Sequence, residues 1–121
     1  MPPDRFALIP FCANTKESPT AEFSDTPHGL PDLVLIHPEY IDIRSPGTFF
    51  VCYKANCKSS DACPALFLNR REIPATRDFG KSTCGSAVIF LSDTVKSAAL
   101  SLCILNDIPE PVKGFVLISV I

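Results

Sequence analysis

Apolar residues fall in short runs separated by polar, proline-rich stretches, and the chain closes on one of them. Gly114–Ile121 reads as a final β-strand in which Phe115, Leu117 and Ser119 alternate with Val116, Ile118 and Val120, leaving both faces largely apolar. Such a strand belongs in the interior of a sheet, which argues against Ser119-Val120-Ile121 serving as a free tail for a PDZ-type groove. Upstream, Phe6–Phe11 reads as an edge strand interrupted by Pro10. Leu33–Ile36 and Tyr40–Ile43 read as two short strands on either side of the His37-Pro38 break. Thr48–Tyr53 is the strongest β-stretch, because β-branched and aromatic side chains suit a pleated surface. Ala65–Leu68 and Ala87–Leu91 complete the set. Residues 13–31, rich in Pro, Ser and Thr, read as one long loop.

Two periodicities compete between Ser92 and Asn106. A helix would take Ser92 or Asp93 as N-cap and place Val95, Ala98, Ala99, Leu102 and Cys103 on one face, with Asn106 at its end and Pro109 beyond. A strand would alternate Ala98, Leu100, Leu102 and Ile104 with Ala99, Ser101 and Cys103. The cap, the paired alanines and the length favour the helix. The expected fold is therefore α+β, a mainly β core with one helix near residues 92–105, and Ala87–Ile121 forms a strand–helix–strand unit. The alternative is an all-β sandwich in which Cys52 and Cys103 face each other between two sheets.

The 121 residues suit a single domain spanning 1–121, and 46% hydrophobic with 20% charged residues is a globular balance. No apolar run approaches the roughly 20 residues that span a bilayer. The N-terminus lacks the pattern of a secretory signal, with Asp4 where positive charge is expected and Pro10 interrupting the apolar stretch. An intracellular, cytoplasmic location is expected, with secretion after removal of a leader as the alternative. The six cysteines form an even set, which in a secreted domain implies three disulfides. Several of them lie inside apolar runs, and no Asn-x-Ser/Thr acceptor occurs, so reduced thiols are the expected state.

A net charge of −2 argues against general nucleic-acid affinity carried by the whole surface, though not against a local basic site. The charge is unevenly spread. Residues 1–43 hold seven acidic and two basic side chains, whereas Lys54, Lys58, Arg70, Arg71, Arg77 and Lys81 outnumber the acids of residues 54–81. Loops 54–58 and 69–83, with Ser82, are thus the candidate site for an anionic ligand or an acidic protein surface. Nucleic acid fits poorly, since Tyr53 and Phe79 are the aromatics near those loops.

Other motifs fall short of their chemistry. Ala75–Ser82 follows a relaxed phosphate-loop pattern, but no buried strand precedes it and no helix follows. Cys52, Cys57, Cys63 and Cys84 lack the C-x2-C pairs of a structural zinc site, and neither metal nor cofactor is expected. For nucleophilic chemistry Cys84, in the small-residue stretch Cys84-Gly85-Ser86, is the candidate thiol, with His37 or His28 as base. The expected function is a binding module acting through the basic loops. The alternatives are a small cysteine- or histidine-dependent enzyme acting on an anionic substrate, and a secreted, disulfide-stabilised β-sandwich interaction protein. The pattern leaves the oligomeric state open.

Overall fold

Strand alternation alone organises the chain in the computed structural model, which describes residues 6–24, 28–29, 34–94 and 98–121. The elements in chain order are β1 (Phe6–Ala13), β2 (Glu22–Phe23), β3 (His28–Gly29), β4 (Val34–Ile36), β5 (Ile41–Ile43), β6 (Gly47–Asn56), β7 (Pro64–Leu68), β8 (Arg71–Glu72), β9 (Ser82–Leu91), β10 (Ala98–Ile104) and β11 (Val112–Val120). They form two antiparallel sheets. The first runs β2–β1–β11–β6–β9, with β3 also on β1, and the second runs β4–β5–β10–β7–β8.

The core lies between the inner faces of the sheets. Ile9, Phe49, Val51, Tyr53, Val116 and Ile118 come from the first sheet, facing Ile41, Leu66, Leu100, Leu102 and Ile104 from the second. Each such side chain contributes roughly 1.5–3 kcal/mol by leaving water. Register carries this pattern across the strands: Ile9 pairs Val116, which pairs Tyr53, which pairs Gly85, so one inward row crosses four strands. The closing strand, β11, is bonded on both sides, to β1 and β6, as its apolar pattern requires.

The α+β expectation is corrected. No helix occupies residues 92–105: Ala98–Ile104 is strand β10, and residues 95–97 of that expected helix lie outside the described residues. Every second side chain of β10 (Ala98, Leu100, Leu102, Ile104) is buried, and the strand is hydrogen-bonded to β5 on one side and β7 on the other. The helical face would have buried Ala99 and Cys103, which instead alternate onto the outer surface. Two long-range ladders outweigh the modest helix preference of an alanine pair. Because β10 belongs to the second sheet while β9 and β11 belong to the first, there is no strand–helix–strand unit. Cys52 and Cys103 do not meet either. Both point outward, on opposite surfaces of the sandwich, and all six cysteines are free.

The N-terminal strand also differs from expectation. β1 is not an open edge, because β2 and β3 pair with its outer side. Pro10 sits there without breaking the sheet. Its carbonyl accepts the Ser24 N–H at 2.9 Å, so its own missing donor falls on that same outer side and spares the β11 ladder. Just before β2, the chain runs beside the second sheet: Ala21 N–H donates to Leu102 O and Ile104 N–H to Pro19 O, both at 2.8 Å, filling the place beside β10 that β5 leaves vacant.

One polar side chain crosses the interior. The Tyr53 hydroxyl, on β6 and fully buried, lies 2.6 Å from the Thr76 carbonyl and 3.1 Å from that of Pro64, at the start of β7. Burial, then the Asp78 carboxylate and the Cys84 and Cys63 thiols, raise the phenol well above its ordinary range and keep it a donor. Thr76 in turn donates to Ile73 O at 2.8 Å and accepts the Leu66 N–H at 3.1 Å. Replacing Tyr53 by Phe takes the hydroxyl donor from the buried Thr76 carbonyl and leaves Pro64 O with the Asp78 N–H at 3.2 Å, so Tyr53→Phe is expected to cost about 1–3 kcal/mol, read as a lower urea midpoint at unchanged slope. Gly114 is fixed by a different constraint. A β-carbon there would overlap the Lys54 carbonyl on the neighbouring strand and lie 3.0 Å from the Ala55 Cα. Gly114→Ala should therefore lower stability by about 1–3 kcal/mol in the same assay, and an unchanged midpoint would refute the close approach.

Candidate functional site

The outer face of the first sheet is apolar where a solvated face would be polar. Side chains turned away from the core form rows across β1, β11, β6 and β9. One reads Phe6–Ser119–Phe50–Val88, the next Leu8–Leu117–Cys52–Ser86, and the next Pro10–Phe115–Lys54–Cys84. Phe90 follows Val88 on β9, and the two are 72% and 62% exposed, large values for such side chains. Polarity returns at one end, where Cys12, Lys113, Asn56 and Ser82 make the last row. The face is thus an apolar field bordered at one end by lysines. A contiguous exposed patch of this kind marks a contact surface.

The basic residues singled out in the sequence are spread around the molecule. Lys54 and Ser82 stand on the outer face of the first sheet, Lys54 between Phe115 and Cys84. Lys58 and Lys81 are carried on neighbouring loops, joined by a 2.7 Å bond from Cys57 N–H to the Lys81 carbonyl. Arg77 is held by Glu72 through two bonds of 2.6 and 3.1 Å, and that pairing pulls the Glu72 carboxyl below its usual range. Arg71 is exposed on β8. Arg70 lies on the other side of the sandwich, in the two-residue turn between β7 and β8, where Asn69 and Arg70 both have positive φ, 50° and 69°. There it lines a shallow hollow of about 620 Å3 together with Glu39, Tyr40, Asp42 and Phe67. Lys58 and Lys81 are brought near each other; Lys54, Arg70 and Arg77 are not brought to one concavity.

The candidate thiol and base are likewise apart. Cys84 is exposed on the outer face of the first sheet, and its N–H donates to the Asp78 carboxylate at 3.1 Å. The His37 ring stacks on Tyr40, centroids 4.3 Å apart, beside the second sheet. The side chain of His28 lies outside what the structure describes. Among the described residues, no three His, Cys, Asp or Glu side chains converge as a metal site requires. The relaxed phosphate-loop segment runs straight into β9, with Gly80 bridged to Ala62.

These positions set an order of thiol reactivity. Burial raises the thiols of Cys52, Cys57 and Cys103 above their ordinary value, in Cys103 partly offset by the Thr20 hydroxyl. Cys12 and Cys84 are exposed. Alkylation of the native chain near neutral pH, followed by peptide mass mapping, should label Cys12 and Cys84 first and Cys103 among the last. Equal labelling of all six would contradict the arrangement.

Fold and surface together define a two-sheet antiparallel β-sandwich with an apolar outer face on one sheet. No protein-family model matches the chain, and no curated protein does. Among solved structures it is similar to murine APRIL. The crystal structure at pH 8.0 superposes with a TM-score of 0.57 at 7% identity, covering 96% of this chain and 100% of that one. The crystal structure at pH 8.5 gives 0.53 at 9% identity, covering 93% and 98%. The likeness is one of fold, a TNF-like β-sandwich of the jelly-roll type. No helix among the described residues is long and apolar enough to cross a membrane.

Proposed function

We propose that this chain is a protein–protein interaction module that self-associates through the outer face of its first sheet. The observation that carries the reading is the apolar field of Phe6, Leu8, Phe50, Val88, Phe90 and Leu117 on a sheet whose inner face already supplies the core. Such a surface is costly in water and is relieved when an identical surface covers it, which is the simplest route to a closed symmetric oligomer. The structures it resembles belong to TNF-like sandwiches, which are interaction proteins. Of the sequence's readings, this one supports the β-sandwich interaction protein, here with free cysteines in place of disulfides. The anion-binding reading gains no support from geometry, because Arg77 is spent on Glu72 and Arg70 lies on the opposite side from Lys54.

Leu117 is the place to test it, at the centre of the field and on the strand bonded on both sides. Its side chain points away from the core, so Leu117→Lys should leave the thermal midpoint near that of the parent. Self-association, measured by sedimentation over roughly 1–100 µM, should weaken at least about tenfold. A parent chain that stays monomeric throughout, or a variant that associates as the parent does, would sink the proposal.

A further inference from the structure

The lateral edges of the two sheets are not alike. In the second sheet β4 has three residues and β8 two, the latter being Arg71 and Glu72. In the first, β2 and β3 cover β1, and Pro10 removes a donor on that side. These are the ordinary devices that stop an edge from recruiting another strand. β9 has none of them. It is ten residues long, STCGSAVIFL, with no charge and no proline, and it pairs with β6 without a bulge from Ser82 to Leu91.

The direction of its free groups follows from one bond. Cys84 N–H reaches the Asp78 carboxylate, so Cys84 turns its backbone away from β6, and in a regular strand so do Ser86, Val88 and Phe90. Asp78 occupies the edge at Cys84, and the turn at Asp93-Thr94 closes the other end. Among the described residues, no backbone group bonds to Ser86, Val88 or Phe90 from the open side. The open stretch is therefore 86–90, centred on Val88.

We propose that β9 pairs antiparallel with β9 of a second copy, about a twofold axis at Val88. In that register Val88 meets Val88, and Ser86 meets Phe90 twice, so all three residues of each copy exchange both N–H···O bonds. A slip by one residue would aim these groups at ones already bonded to β6. No charges meet at the axis. At the ends Cys84, with the Asp78 carboxylate on it, stands opposite Ser92 of the other copy, so Asp93 there meets both Asp78 and Lys81 and the charges offset; the register rests on the backbone groups alone. Val88 and Phe90 of both copies fall on the same outer surface, which joins the two apolar fields. This goes beyond the face contact proposed above, since it uses the backbone of the edge and not the side chains of the face.

Amide exchange read by mass spectrometry on the full chain tests the pairing without any variant. Exchange at Ser86, Val88 and Phe90 should slow at least about tenfold between roughly 1 and 100 µM protein. Rates independent of concentration in a chain that associates would overturn the proposal, as would a chain monomeric at the higher concentration. Variants separate edge from face. Val88→Pro removes the central outward donor while sparing the β6 ladder and keeping the position apolar; it should abolish the protection and halve the assembly mass. Phe50→Lys disrupts the face one strand in and should leave the protection in place. Loss of association in Phe50→Lys with none in Val88→Pro would leave the face reading standing and remove this one. The opposite result would do the reverse.

Discussion

The sandwich turns on a single phenol that crosses it. Tyr53 stands in the central row of the first sheet, between Val116 and Gly85, and places its hydroxyl against the Thr76 and Pro64 carbonyls. Apolar contacts alone would fill the interior but would not fix how the two sheets slide past each other. A buried donor with its acceptors on the far side does, because any shift leaves polar groups unpaired at a cost of a few kcal/mol. The same phenol dictates its neighbours. A β-carbon on Gly85 would lie 2.7 Å from the Tyr53 ring and would also overlap the Thr76 carbonyl. Thr76, seated by Tyr53, then holds β7 through Leu66 and the end of the β8 turn through Ile73.

This arrangement divides β9 in two. Its first half lies under the segment that carries Thr76, and Asp78 from that segment ties down Cys84. Its second half passes beyond the reach of that segment, and there the side chains Val88 and Phe90 and the outward backbone are uncovered. The interior bond and the exposed edge are thus two ends of one constraint.

Much of this was legible in the sequence, and the failures share a cause. Thr48–Tyr53, Ala65–Leu68 and Ala87–Leu91 read correctly as strands, as did the closing run at Gly114–Ile121. The helix expected at 92–105 failed because local alternation and local helical spacing were nearly equal there, and pairing with β5 and β7, set by residues some 30 to 60 positions away, decided it. The β7–β8 hairpin was missed because its turn is Asn-Arg, without the glycine that normally announces positive φ. The outer face was hidden for a further reason. Phe49-Phe50 and Val88-Ile89-Phe90 are continuous apolar runs, which read as strands without telling which side is covered. One side of each is buried in the core; the other is the exposed face. Spacing cannot tell core from contact surface, since both exclude water.

The apolar closing strand shows what that ambiguity conceals. Val116 and Ile118 of β11 face the core, and Phe115 and Leu117 face outward. A strand apolar on both faces needs cover on both, and among the described residues only the inner cover exists. Elsewhere the chain limits its exposed strand groups: β4 and β8 are cut short, β1 is overlaid, and Arg77 is neutralised by Glu72. Exposed apolar side chains also occur singly elsewhere, as at Leu35 and Phe79, but they form a continuous field on this one face, and the other edges are guarded. This argues for a surface whose missing cover is another protein chain, and a copy paired at the edge would extend the field at Val88 and Phe90 while leaving the face itself to a further copy.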